Sequence, residues 1–214
     1  MNWNIVKGAC LALLPVAGTL KAQEKPNIVV ILADDLASNE ISCYGGKNLK
    51  TPNIDRIAEE GIRFTNNFAS CAMSVPIRAS LYTGLYPARH GSYQNHKISY
   101  SDIKSVTYYL PQAGYRVGRA GKTHTVPKSV FNFEKVPGFE ENCIAVTADY
   151  TVDGIRDFMR QDSPFCLFVC STLSHAPWTC GNKDEFDADK VILPPNCVDN
   201  KLSLIHISEP TRPY

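Results

Sequence analysis

The sequence predicts an α/β fold, a three-layer sandwich in which helices cover both faces of a mostly parallel sheet. Three observations predict it. Residues 26–36, PNIVVILADDL, are an uninterrupted β-branched run, and a short strand apolar on both faces is what a helix-covered parallel sheet requires. Strand-like runs and capped helical stretches alternate through short loops along most of the chain, the pattern of layered α/β domains. Finally, three strand-like runs each lead into residues that can do chemistry: Asp34-Asp35, Lys122-Thr123-His124 and Ser174-His175. Ligands of open α/β sheets gather at strand C-terminal ends.

Taken in order, Thr51-Pro52 opens a helix through IDRIAEE that Gly61 stops, because proline needs no amide partner in a first turn. Residues 62–68 alternate and read as a strand. Residues 74–84, SVPIRASLYTG, read as a helix. Ser74 is expected just before its N-terminus, Pro76 starts it, and Gly84 is its C′ stop. Arg78 lies one turn past Ser74 and can reach back toward it. Arg89-His90-Gly91 read as a turn in which His90 is structural. Residues 105–114 read as a helix with a Ser105 cap and Val106, Tyr109, Leu110 and Ala113 on one face; Pro111 shortens or bends it. Residues 115–120 form the next strand. Residues 147–161 form an amphipathic helix around Tyr150, Ile155, Phe158 and Met159, modestly weakened by Gly154. Residues 165–170 are a buried strand, and 181–199 a long polar surface connection.

With 214 residues, 44% of them hydrophobic, and a net charge of +1, the chain can bury one core and carries no basic excess for nucleic acid. Residues 1–22 read as a secretory signal: Lys7, an apolar run from Ala9 to Leu20, and Ala22 before the polar start at Gln23. That run is too short to span a membrane. The expected product is exported to the periplasm or outside the cell, with no membrane attachment after cleavage. Residues 202–212, LSLIHISEPTR, resemble the translation of a transposase-derived sequencing adapter, residue for residue. The expected organisation is a signal over 1–22, the globular part over 23–201 and an adapter-like tail over 202–214, the natural protein continuing past about residue 201. Of eight cysteines, Cys10 leaves with the signal; an odd remainder argues against a complete disulfide framework. Cys166 and Cys170 read as buried thiols used as small apolar residues. Cysteine and histidine spacing yields no zinc site.

The candidate site residues come from three strand ends and one helix start. Adjacent carboxylates at Asp34 and Asp35 suit a hard divalent cation with oxygen ligands, calcium more readily than zinc. Ser74 sits where helix-terminal amides and the macrodipole favour anions. Lys122 offers a fixed positive charge and His124 a group that titrates near neutrality, both aimed past a strand end. His175 stands at a third strand end.

These motifs together resemble the sulfatase family. Ser74, Pro76 and Arg78 match its signature, in which a Cys or Ser, any residue, Pro, a small residue and Arg open a helix; Ile77 departs at the small position. PNIVVILADDL resembles the family's opening strand, Gly121-Lys122-Thr123-His124 its GK-x-H motif, and Ser174-His175-Ala176-Pro177 its PHxP segment, with Ser174 for the first Pro. The resemblance covers about residues 26–199 and implies the N-terminal part of a catalytic domain on an alkaline-phosphatase-like α/β sandwich, here truncated. It also implies a sulfuric ester hydrolase acting on a sulfated carbohydrate. Ser74 is then oxidised by a formylglycine-generating maturase of the anaerobic type to Cα-formylglycine, whose hydrate is the nucleophile. Calcium is held by Asp34, Asp35 and residue 74. Arg78 and Lys122 neutralise sulfate oxygens, His124 contacts the hydrate, and His175 protonates the leaving oxygen. The family's later metal-ligand pair has no counterpart here; Asp199-Asn200 lacks the strand context. The alternatives are a phosphatase or phosphodiesterase of the same superfamily using an unmodified Ser74, or an inactive fragment.

Overall fold

The computed structural model describes residues 25–142, 150–176, 190–193 and 198. Its sheet holds β1 (Ile28–Ala33), β2 (Arg116–Gly121), β3 (Glu134–Val136) and β4 (Phe165–Ser171), all parallel, in the order β1-β4-β2-β3. Among the described residues, five α-helices accompany it: α1 (Pro52–Glu60), α2 (Ser74–Thr83), α3 (Pro87–His90), α4 (Val106–Gln112) and α5 (Asp153–Met159). The expected α/β architecture with a parallel sheet is what forms.

Alternation along β4 builds both cores. Cys166, Phe168 and Cys170 face one side, with Val117 and with Ala79 and Tyr82 of α2; Val106 and Leu110 of α4 pack against the same cluster. Phe165, Leu167 and Val169 face the other side, with Ala120 and with Phe158 of α5. Tyr82 is the centre of the first cluster, edge-on to Phe133 at 4.8 Å and to Phe168 at 5.2 Å between ring centroids. Cys166 and Cys170 are buried free thiols. β1 is an edge strand among the described residues, and its Val29 and Ile31 are exposed.

Several expectations require correction. Residues 62–68 alternate but form no strand, and Ile62, Phe64 and Phe68 are exposed; alternation builds a strand only where a neighbouring edge supplies ladder partners. Ser74 is the first helical residue of α2 rather than the cap, which is Met73. The helix expected over 147–161 starts only at Asp153 in its described part. Thr151 explains the late start: its amide donates to Gly138 O at 2.9 Å, and its hydroxyl accepts from the Asp153 amide at 3.2 Å. β3 was not anticipated, being three residues long and polar in two of them. The proposed signal, the adapter-like tail and the Asp199-Asn200 pair lie outside the described residues.

Ser105 does cap α4, its hydroxyl accepting from the Thr107 amide at 3.2 Å, and the helix ends at Gln112, one residue past Pro111. His90 is structural. It is fully buried, and its Nδ1 accepts from the Ser92 amide at 3.1 Å, which leaves the ring proton on Nε2 facing Ser80 Oγ at 3.1 Å. Burial pushes its pKa down, against hydrogen bonds from its surroundings, so the ring is neutral at pH 7.

Gly154 supplies a test in which propensity and packing give opposite signs. A Cβ there would stand 2.4 Å from Pro137 O and 2.8 Å from Pro137 Cγ. Helix propensity alone predicts that Gly154→Ala stabilises by about 1 kcal/mol. Packing predicts destabilisation of about 1–3 kcal/mol, because the closest obstacle is backbone. Urea unfolding of the two proteins reads the sign directly, and we expect the loss.

Candidate active site

Three parallel strands end at one edge of the sheet, and the chain leaves each of them into the site. Backbone bonds extend the ladder there: the Asp34 amide donates to Ser171 O at 3.0 Å and the Lys122 amide to Cys170 O at 3.1 Å. Gly121 is required at this point. Its φ is +80°, and a Cβ would lie 2.1 Å from Cys170 O, so only glycine lets β2 turn outward against β4.

Asp34 is the hub. Its Oδ1 accepts from Arg78 Nη2 at 3.0 Å, and its Oδ2 accepts from Lys122 Nζ. All three side chains are buried, with 7%, 5% and 1% of their surface exposed for Asp34, Arg78 and Lys122. Burial works against the Asp34 carboxylate, but the hydrogen bonds and charges of Lys122 and Arg78 outweigh it and hold its pKa below the ordinary range. Arg78 is itself held protonated: burial opposes its charge, and the Asp34 carboxylate hydrogen-bonded to it favours that charge.

Arg78 also turns toward Ser74, its Nε donating to Ser74 Oγ at 3.3 Å. His124 Nδ1 lies 3.0 Å from the same oxygen. Burial first, then the charges of Lys122 and Arg78, lower the His124 pKa, so a neutral imidazole faces the hydroxyl at pH 7. The Ser74 side chain is therefore engaged by Arg78, one turn along its own helix, and by His124 beyond β2, rather than by its own helix amides. Asp35 points outward, with 63% of its side chain exposed, and its Oδ2 lies 3.4 Å from His175 Nε2. His175 Nδ1 donates to Ala176 O at 2.6 Å. Its Nε2 therefore donates toward the two Asp residues only when the ring carries both protons. Ser174 joins this end to the hub, its hydroxyl donating to Asp34 O at 2.7 Å.

The structure thus brings Asp34, Asp35, Ser74, Arg78, Lys122, His124 and His175 to one place. Sequence reasoning passed over Asn95 and His96, which also reach it: Asn95 Oδ1 accepts from the Val75 amide at 3.0 Å, and the His96 ring packs against His124 with centroids 5.6 Å apart. No motif marks them. The available signal was the Asn-His pair in a short polar loop between two site segments.

A sequence model described as Sulfatase matches residues 26–191. The chain belongs to the sulfatase family. Among family relatives, it is 38% identical over 161 residues to an ulvan-active sulfatase of Formosa agariphila, covering 72% of this chain and 31% of that one. It is 34% identical over 185 residues to human N-sulphoglucosamine sulphohydrolase, covering 81% and 36%. A solved complex with its substrate D-glucosamine-2-N,6-O-disulfate superposes with a TM-score of 0.61 at 31% identity, covering 72% and 36%. The phosphonate monoester hydrolase of Agrobacterium radiobacter has a TM-score of 0.65 at 22% identity, covering 79% of this chain and 45% of that one, and shares the fold. The chain spans about a third of the length of the curated sulfatases it matches.

The hub makes an acid-stability prediction. A carboxyl whose pKa is depressed on folding adds stability above its unfolded pKa, about 4, that is lost as pH falls through the folded value. At neutral pH, Asp34→Asn leaves two buried cations without their anion, a loss of about 3–5 kcal/mol. Denaturant unfolding between pH 7 and pH 3 should show the gap between wild type and Asp34→Asn narrowing only below about pH 4.

Proposed function

We propose that the full-length protein is an exported sulfatase that hydrolyses sulfate esters of a sulfated glycan. The observation that carries this reading is the meeting of Arg78 and His124 on Ser74 Oγ, beside the buried Asp34–Lys122 pair. Relatives named for ulvan and for N-acetylglucosamine-6-sulfate, and the glucosamine disulfate complex, support a sulfated sugar as substrate.

Each residue has a role its geometry suits. Lys122 and Arg78 supply two buried positive charges against one from Asp34, so an anion entering beside Ser74 meets a net positive site. The Arg78 fork divides between Asp34 and Ser74, which ties the residue-74 oxygen to the buried ion pair. Neutral His124 accepts a proton from that oxygen. On the solvent side, His175 carrying both protons donates one to the departing alcohol. Oxidation of Ser74 to formylglycine by an anaerobic-type maturase supplies, once hydrated, a second hydroxyl through which sulfate is released.

The donors also suit calcium in kind. Asp34, Asp35 and the residue-74 oxygen are hard oxygen ligands, two of them anionic, although no larger cluster of carboxylate, histidine and cysteine side chains stands among the described residues. These three would hold the ion, and it would supply further neutralisation of sulfate charge. We further propose that the 214-residue chain alone is inactive. Supporting this, the outer face of β1 leaves Val29 46% and Ile31 66% exposed, an open apolar edge of the kind that aggregates.

The test uses the full-length enzyme, produced with calcium and a formylglycine-generating maturase and assayed on an aryl sulfate. Ser74→Ala should lose all turnover. Arg78→Ala should lose it too, and Arg78→Lys should keep a fraction, having charge without the fork. Mass spectrometry of active enzyme should find residue 74 oxidised; unmodified serine there, or turnover by Ser74→Ala, sinks the nucleophile assignment. Residues 23–201 assayed alone should be silent.

A further inference from the structure

Helix α2 carries Ser74 but does not cap itself. Met73, its N-cap, makes no side-chain cap hydrogen bond, and the Ser74 hydroxyl is held by Arg78 and His124. The Val75 amide is nevertheless satisfied, from twenty residues further along the chain, by Asn95 Oδ1 at 3.0 Å. The next residue, His96, sets its ring at 63° to that of His124. Two adjacent side chains thus reach the two elements that meet at the 3.0 Å contact between Ser74 Oγ and His124 Nδ1.

The backbone of this loop is held for the purpose. Ser92 Oγ donates to Lys97 O at 2.6 Å and closes the loop across its base. The Ser99 amide donates to Val126 O and the Tyr100 amide to His90 O, both at 3.0 Å. His96 itself has a φ of +66°, one of three positive-φ non-glycine residues among those described; the others are Asp35 and His124. All three stand at this site. Left-handed backbone outside glycine is costly and persists where surrounding structure enforces it, which is often at functional sites.

We propose that Asn95 and His96 are positioning residues that hold the Ser74–His124 pair in register, Asn95 through the first turn of α2 and His96 through the ring of His124. The inference rests on the reading of residue 74 as the nucleophile position. Neither residue touches the reacting atoms; each acts through a neighbour that does.

The test compares Asn95→Ala and His96→Ala with conservative partners in the full-length enzyme. Asn95→Asp keeps the oxygen that accepts from Val75, and His96→Phe keeps a ring edge for His124 without its nitrogens. Misplacement of a reacting pair lowers kcat more than it weakens binding. The alanine variants should therefore lose about tenfold in kcat with KM within about twofold, and the conservative variants should recover to within about twofold of wild type. A second readout is independent of activity. In unmatured protein, with Ser74 intact, the imidazole nitrogen resonances of His124 should shift in both alanine variants and return in both conservative ones. Alanine variants with wild-type kcat and an unmoved His124 resonance overturn the proposal. So does a His96→Phe protein as slow as His96→Ala, since the imidazole would then be acting on substrate itself. If the wild-type enzyme fails to cleave sulfate esters while the resonances follow the expected pattern, the sulfatase reading falls and the positioning role stands.

Discussion

The buried Asp34 carboxylate between Arg78 and Lys122 is the constraint on which the rest depends. A charge taken out of water must be met by its partner, and removing one partner costs more than the pair contributes. Asp34 comes from the end of β1, Arg78 from the middle of α2 and Lys122 from the end of β2. The Asp34 carboxylate is thus tenable only if two other elements are in place, and each cation only if β1 is. The Asp34 amide ties the cluster to β4 through Ser171 O. Fold and site are one structure at this edge: the alignment of three strand ends that assembles the chemistry also keeps the charges compensated.

Arg78 illustrates why the residue type matters. Its Nη2 reaches Asp34 while its Nε reaches Ser74 Oγ. A planar fork with several donors serves both at once, which an ammonium on a flexible stem cannot do. Its stem lies in the same buried helix face as Ala79 and Tyr82, both fully buried. Burial, with the nearby Cys170, raises the Tyr82 phenol's pKa far above its ordinary value. The hydroxyl therefore stays neutral and contacts Cys170 Sγ at 3.6 Å.

Much of this was legible in the sequence because it is local. The β-branched run of β1, helix α1 with its first-turn Pro52, the Ser105-capped α4, and β4 with its alternating cores are set by period and by terminal residues. Site residues lying directly after strands could be named because a parallel sheet sends all of its strand ends to one edge. What could not be read is whatever needed partners distant in the chain. Residues 62–68 carry a strand's alternation but no ladder. Gly154, weak by propensity, is demanded by the Pro137 carbonyl. Ser74 has the composition of an N-cap, yet its hydroxyl is drawn to Arg78 and His124, and Asn95 takes over the capping. Capping from twenty residues away leaves no trace in a window of one helix.

The site is graded from buried to open, and the gradient orients the chemistry. Lys122 has 1% of its side chain exposed and Asp34 7%, whereas His175 has 20% and Asp35 63%. Fixed positive charge lies at the floor, where low dielectric strengthens it, and the group able to give up a proton lies toward solvent. An anionic group drawn to this floor would therefore settle charge first, with its uncharged part toward the mouth. Groups that tell one ligand from another must then stand above this floor, on loops at the rim. Tolerance of substitution should follow the same gradient, since buried ions tolerate little change while exposed loop positions tolerate much.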